Sequence, residues 1–219
     1  MPDIERAFSP IVETLRKAAA AVREADIPFA LGGSLACWAR GGPEVTNDLD
    51  LIVRPQDADA ALEALAAAGM RPERPPEEWL YKAWDGDVML DLIFELVTGP
   101  VTDRTLERAE EITVASVTMP VMRLEEVLVA KLLSLDEHGL DLAPLLGIAR
   151  ALREQVDWAD VRSRSAHSPY ARAFFTLLEG LEIVGPTEPA DADDVVVRPA
   201  IEATPPGATA FGPSSRDPR

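Results

Sequence analysis

The chain has 219 residues, 47% of them hydrophobic, which is enough for one domain, or one and a half, with a sizeable core. Its single cysteine, Cys37, and its two histidines exclude an internal disulfide, a cysteine-based zinc cage and a His-rich metal site. A formal net charge of −17 makes it a poor general-purpose nucleic-acid binder, because non-specific affinity comes from neutralising phosphates with Lys and Arg.

Ile4, Phe8, Ile11, Leu15, Ala18 and Val22 recur at helical spacing and predict a helix over residues 4–25. Residues 27–31 form a short apolar run that ends in Gly32-Gly33, as a buried strand does, and Ser34 is placed to cap a helix through Ala39. Gly41-Gly42-Pro43 stops that helix, and residues 49–53 read as the next strand. Residues 56–68 are an amphipathic helix with Ala60, Leu62, Leu65 and Ala66 inward and Gly69 as its stop. The Pro- and Glu-rich stretch 71–78 reads as a surface loop, and the runs 79–84 and 88–95 flank Asp85-Gly86-Asp87, a hairpin signal. A helix over 103–109, a strand over 112–119 and helices over 123–136, 142–155, 158–164 and 169–183 complete the body.

From residue 185 onward Pro, Ala, Gly and acids dominate, which reads as a disordered tail. Residues 186–219 hold six acids against three arginines, a net of −3, so the other 185 residues carry −14 of the −17. The expected organisation is α/β (α+β): a small mixed sheet flanked by helices over 1–120, a helical C-terminal part over 121–184 and the tail over 185–219. No apolar run approaches the ~18 residues needed to cross a bilayer. The N-terminal MPDIERAF is acidic and amphipathic, unlike a secretory leader, so the expected address is the cytoplasm and no membrane partner is expected.

Three features carry chemistry. Asp48 and Asp50, two apart on a strand, share a face and repel each other unless a positive group lies between them. A divalent cation is the simplest such group, and magnesium prefers carboxylate oxygens; the bland alternative is a turn residue followed by an edge residue facing solvent. Asp91, in VMLDLIF, shares a face with Met89 and Ile93 and interrupts an apolar surface, so it must be paired, hydrogen-bonded or metal-bound, unless its strand is a solvated edge. The Gly32-Gly33-Ser34 turn, between strand and helix, presents backbone N–H groups and a hydroxyl that suit a phosphate, although a plain tight turn has the same residues. Only three lysines occur, Lys17, Lys82 and Lys131. Trp79, Tyr81 and Trp84 alternate along a strand and either stack a base or pack in the hairpin. Arg40 either meets phosphate or lies at the surface, and Cys37 and Trp38 read as core.

In these motifs, over residues 25–155, the chain resembles the DNA polymerase β-type nucleotidyltransferase superfamily, in particular its minimal bacterial members, which include toxin-like enzymes of abortive-infection and toxin–antitoxin systems. The resemblance implies that Asp48, Asp50 and Asp91 hold one or two magnesium ions and carry catalysis. It implies that Gly32, Gly33 and Ser34 hold the NTP triphosphate, and that Lys131 and Asp141 belong to the nucleotide site. The implied reaction moves a nucleoside monophosphate from an NTP to a hydroxyl. An RNA or tRNA 3′ end is the favoured acceptor, with a cognate antitoxin as a further partner; the acidic body weighs against this unless Arg-bearing pieces such as 161–164 gather on one face. The alternatives are an adenylyltransferase acting on an antibiotic or a protein hydroxyl, and a non-catalytic nucleotide- or partner-binding module. A basic rim around the carboxylates would favour nucleic acid; an acidic rim would favour a cationic small molecule.

Overall fold

A 23-residue helix, α1 (Pro2–Glu24), opens the computed structural model, which describes residues 2–43 and 48–185, without the side chains of residues 2–9 and 48. Its Ile11, Leu15, Ala18 and Val22 are buried on the expected face. The helix ends where Asp26 adopts a φ of 56° and the Ile27 N–H bonds back to the Val22 carbonyl, so β1 (Phe29–Leu31) begins two residues later than expected. α2 (Gly33–Trp38) starts two residues early. Its cap position falls on Gly32, with no side-chain cap, so Ser34 sits inside the first turn instead of capping it.

β2 (Asp48–Val53) leads through a short 3₁₀ turn, Pro55–Asp57, into α3 (Ala58–Ala67). α3 buries Ala58, Ala61, Leu62 and Leu65, a clean i, i+3, i+4, i+7 stripe, and leaves Ala60 exposed. The expected loop after it contains β3 (Arg71–Glu73), where Pro72 is tolerated because the strand is at the sheet edge. β4 (Leu80–Asp85) and β5 (Val88–Ile93) form the expected hairpin around Gly86, whose φ is 62°. A two-stranded ribbon, β6 (Glu95–Leu96) and β7 (Gly99–Pro100), follows, and then α4 (Asp103–Glu107), capped by the Thr102 side chain.

The single strand expected over 112–119 is a hairpin, β8 (Glu110–Val114) and β9 (Val117–Val121). Its turn residues Ala115 and Ser116 have φ of 49° and 70°, the left-handed pair of a type I′ turn, without the Gly or Asn that normally marks one. The Arg16 guanidinium holds the turn through two hydrogen bonds to the Ala115 carbonyl, at 2.9 and 2.6 Å. Four helices complete the fold: α5 (Leu124–Leu133), α6 (Ala143–Leu152), α7 (Trp158–Ser165) and α8 (Pro169–Gly180).

Seven strands pair in the order β3-β4-β5-β2-β1-β9-β8, parallel at β2–β5 and β1–β9 and antiparallel elsewhere, which is the expected mixed sheet flanked by helices. Leu49, Leu51, Leu90 and Leu92 are fully buried on the face that α1 and α3 cover, while Asp50, Asp91 and Ile93 alternate onto the other face. Residues 1–185 form one compact unit. The tail expected from residue 185 lies, from Pro186 on, outside the described residues. Among the described residues no helix is long and apolar enough to cross a membrane. Because an L-residue in the left-handed region costs about 1 kcal/mol, Ser116→Gly is expected to raise stability by about that amount, read as a higher urea midpoint with unchanged slope.

Candidate active site

The site begins with one pairing. β2 and β5 run parallel with Asp50 beside Asp91 and Ile52 beside Ile93, and residues so paired lie about 4.8 Å apart with side chains on the same face. The Asp48 backbone pairs with Met89, and its side chain lies outside the described residues. On the other side of β5, Lys82 of β4 stands directly across from Asp91 and donates to its Oδ1 at 2.7 Å. The Lys82 Nζ also lies 3.4 Å from the Met89 sulfur. A row of Lys82, Asp91 and Asp50 thus crosses three strands. The partner that a carboxylate on this apolar face requires is a lysine on the neighbouring strand, β4.

The glycine turn closes on the same carboxylates. The Gly32 N–H donates to the Asp50 carbonyl at 2.9 Å. Gly33 has a φ of 56°, and a Cβ placed there would fall 1.6 Å from Asp50 Oδ2, so both backbone conformation and space demand glycine. α2 has only six residues, and its dipole adds little to anion binding. Ser34 instead presents its hydroxyl to Lys131, whose Nζ donates to Oγ at 3.1 Å.

Lys131 reaches that hydroxyl because α5 is fixed at its start. The buried Glu125 accepts from the Asp157 N–H at 3.0 Å, and Glu126 binds Arg164 at 2.6 Å and Arg108 at 3.2 Å. Hydrogen bonding to Glu126 holds the Arg164 guanidinium charged, its pKa raised further above the ordinary arginine value. Arg162 is likewise engaged, by Glu179 at 2.7 Å and the face of Phe175 at 4.3 Å. Arg40 is not a surface residue: its side chain, 7% exposed, donates to the Ala36 carbonyl and to Glu110.

Between this sheet face and α5 lies a cleft of about 890 Å³, within the range of small-molecule sites. Asp50, Ile52 and Ile93 form one wall, and Val127, Ala130 and Lys131 of α5 with Ser134 at its C-terminal cap form the other. Of the residues singled out from sequence, Gly33, Asp50, Lys131 and Asp141 line it; Gly32, Ser34 and Asp91 are tied to these from just outside. The Asp141 Oδ1 also accepts from the Ala143 N–H at 3.1 Å, starting α6. The mouth is acidic and apolar: Glu78, Glu95, Trp79 at 45% exposure and Val97 at 54% line it, and among the described residues Lys131 is the only Lys or Arg in the lining. Tyr81 packs edge-on to Phe94, and Trp84 donates to Glu73, so of the three alternating aromatics only Trp79 faces the cleft. Glu78, Glu95 and Lys82 belong to no motif. Among the described residues no group of three or more His, Cys, Asp or Glu side chains is arranged to hold a metal.

Cys37 lies in the core behind the turn, and burial pushes its thiol up to about 11, against the opposing pull of Lys131 and Arg40.

A sheet of this order with helices on both sides is the nucleotidyltransferase fold. The chain resembles two solved structures of ANT(2'')-Ia, both at 17% identity. One, a solution structure of this antibiotic-resistance factor, superposes with a TM-score of 0.57 over 80% of this chain and 97% of that one. The other, a crystal structure in complex with adenylyl-2''-tobramycin, gives 0.55 over 77% and 98%. No curated protein matches the chain. The chain belongs to the family described as "Uncharacterised nucleotidyltransferase", whose family model matches residues 12–182, and it is accordingly an enzyme of the nucleotidyltransferase (EC 2.7.7) type.

Gly33→Ala is expected to cost about 1–3 kcal/mol in urea unfolding, since it combines a left-handed backbone with a collision against Asp50. Cys37 has a folded pKa above its unfolded one, so its contribution to stability is complete below about pH 9 and is lost as pH rises toward 11. Urea midpoints between pH 8 and 11 are expected to fall, and to fall less steeply in Cys37→Ala.

Proposed function

We propose that this cleft transfers a nucleoside monophosphate from an NTP to a hydroxyl of a small cationic acceptor, with magnesium as cofactor. The observation that carries the choice of acceptor is the rim: Glu78, Glu95 and Asp141 beside exposed Trp79 and Val97, with no arginine there among the described residues. An RNA backbone would need the opposite charge. Arg162 and Arg164, the cations that could have supplied it, are engaged by Glu179 and Glu126. An acidic rim concentrates a cationic ligand, and an exposed indole suits the faces of its rings. The fold neighbour that holds adenylyl-2''-tobramycin, a nucleotidylated small molecule, agrees with this reading.

Magnesium is commonly held by one or two carboxylates together with substrate phosphates. Asp50 and Asp91, paired side by side with Asp48 next along β2, fit that requirement in donor type. The ion would neutralise charge on the reacting phosphates. The Gly33–Ser34 turn and Lys131 bind the triphosphate, and Trp79 and the rim acids orient the acceptor. The acceptor oxygen attacks the α-phosphorus, the bond from that phosphorus to the bridging oxygen breaks, and pyrophosphate leaves with the electron pair. Asp91 takes the hydroxyl proton; Lys82 occupies one of its two oxygens and leaves it capable of doing so.

The test offers each NTP, labelled at the α-phosphate, with magnesium and three acceptors: a panel of amino-sugar antibiotics, total tRNA and the protein itself. Label is expected on an amino sugar, lowered about 10²–10⁴-fold in Asp91→Asn. Glu95→Gln is expected to raise the acceptor KM with kcat little changed. Label on tRNA instead would reinstate the toxin-like reading, with its RNA acceptor and cognate antitoxin. No transfer and no NTP binding would leave a binding module.

A further inference from the structure

We propose, resting on the metal-dependent reading above, that Lys82 is a resident counter-ion for Asp91: it keeps the carboxylates assembled before a divalent cation arrives and sets how tightly that cation is held. Asp50 and Asp91 are direct neighbours on parallel strands, and two carboxylates on one face raise each other's energy. Lys82 answers this from the opposite neighbour of β5, in register with Asp91 and 2.7 Å from its Oδ1. The side chains of the pair are only 21% and 17% exposed, so solvent screens the charges weakly and loss of either partner strands the other.

The residue type fits an exchangeable role. An ammonium is a compact point charge on a flexible stem, without the two-pronged grip that a guanidinium has on a carboxylate. A dication bound at Asp50 and Asp91 would stand one carboxylate away from that ammonium, so the two cations compete for Asp91. Lys82 therefore stabilises the metal-free protein and weakens metal binding. A lysine that merely packed against the sheet would do neither.

The measurement is Mn²⁺ binding by isothermal titration calorimetry, together with melting temperature in EDTA and in Mn²⁺, on the full chain. Lys82→Met is expected to bind Mn²⁺ at least about tenfold more tightly than wild type, to melt several degrees lower in EDTA, and to recover that loss in Mn²⁺. Lys82→Gln, which keeps a hydrogen-bond donor for Asp91, is expected to shift affinity in the same direction, and it carries the test if the methionine variant does not fold. In Lys82→Met/Asp91→Asn both effects are expected to vanish. Unchanged or weaker Mn²⁺ binding in both single variants, with binding intact in wild type, overturns the counter-ion role and leaves the metal-dependent reading standing. No Mn²⁺ binding by wild type, with or without NTP, overturns that reading and the counter-ion role with it.

Discussion

The site depends on the parallel pairing of β2 with β5. That register places Asp50 against Asp91, and the Gly32 N–H bonded to the Asp50 carbonyl then draws the turn onto the same strand. With Asp50 Oδ2 occupying the space of a Cβ at position 33, turn and carboxylate form a single unit: neither can shift without the other. Everything nearer the substrate is hung on this frame, including Ser34, which leads to Lys131, and Lys131, which leads to α5 and its anchors on α7.

The cleft has two chemical ends. Near the turn, Lys131 and the backbone of Gly33 suit anionic phosphate. At the mouth, Glu78, Glu95 and Trp79 suit a cationic ring-bearing ligand. A reaction that joined a polyanion to a polycation would need such a division, because a uniformly charged cleft would favour one partner and repel the other.

Much of this was legible in the sequence, for local reasons. A period of two puts Asp48 and Asp50 on one strand face, and glycine pairs mark turns, so the carboxylates and Gly33 stood out. Lys82 was also within reach: the two-residue turn between Asp85 and Val88 fixes the register of the hairpin and so sets Lys82 opposite Asp91. Reading that register, and not only the presence of the hairpin, would have found the partner that Asp91 needs. Trp79 and Glu95 could not be placed in this way, since the cleft they border exists only once α5 and the loop leading to α6 pack against the sheet. The β8–β9 hairpin was missed because Ala115 and Ser116 adopt left-handed conformations through the hold of Arg16, a residue 99 positions away, and nothing local announces it. The cap expected at Ser34 went to Gly32, which frees the serine hydroxyl for Lys131.

The strand order has a consequence for how copies of the chain meet. The outermost strands are β3, three residues long with Pro72 at its centre and Arg71 beside it, and β8, which begins with Glu110 and Glu111. Proline withdraws an N–H from one border, and paired glutamates set like charges against each other at the second. The sheet therefore resists extension by a neighbouring copy, and the long buried strands at its centre, β2 and β5, are kept from templating fibrous aggregates by the short, charged strands at either side.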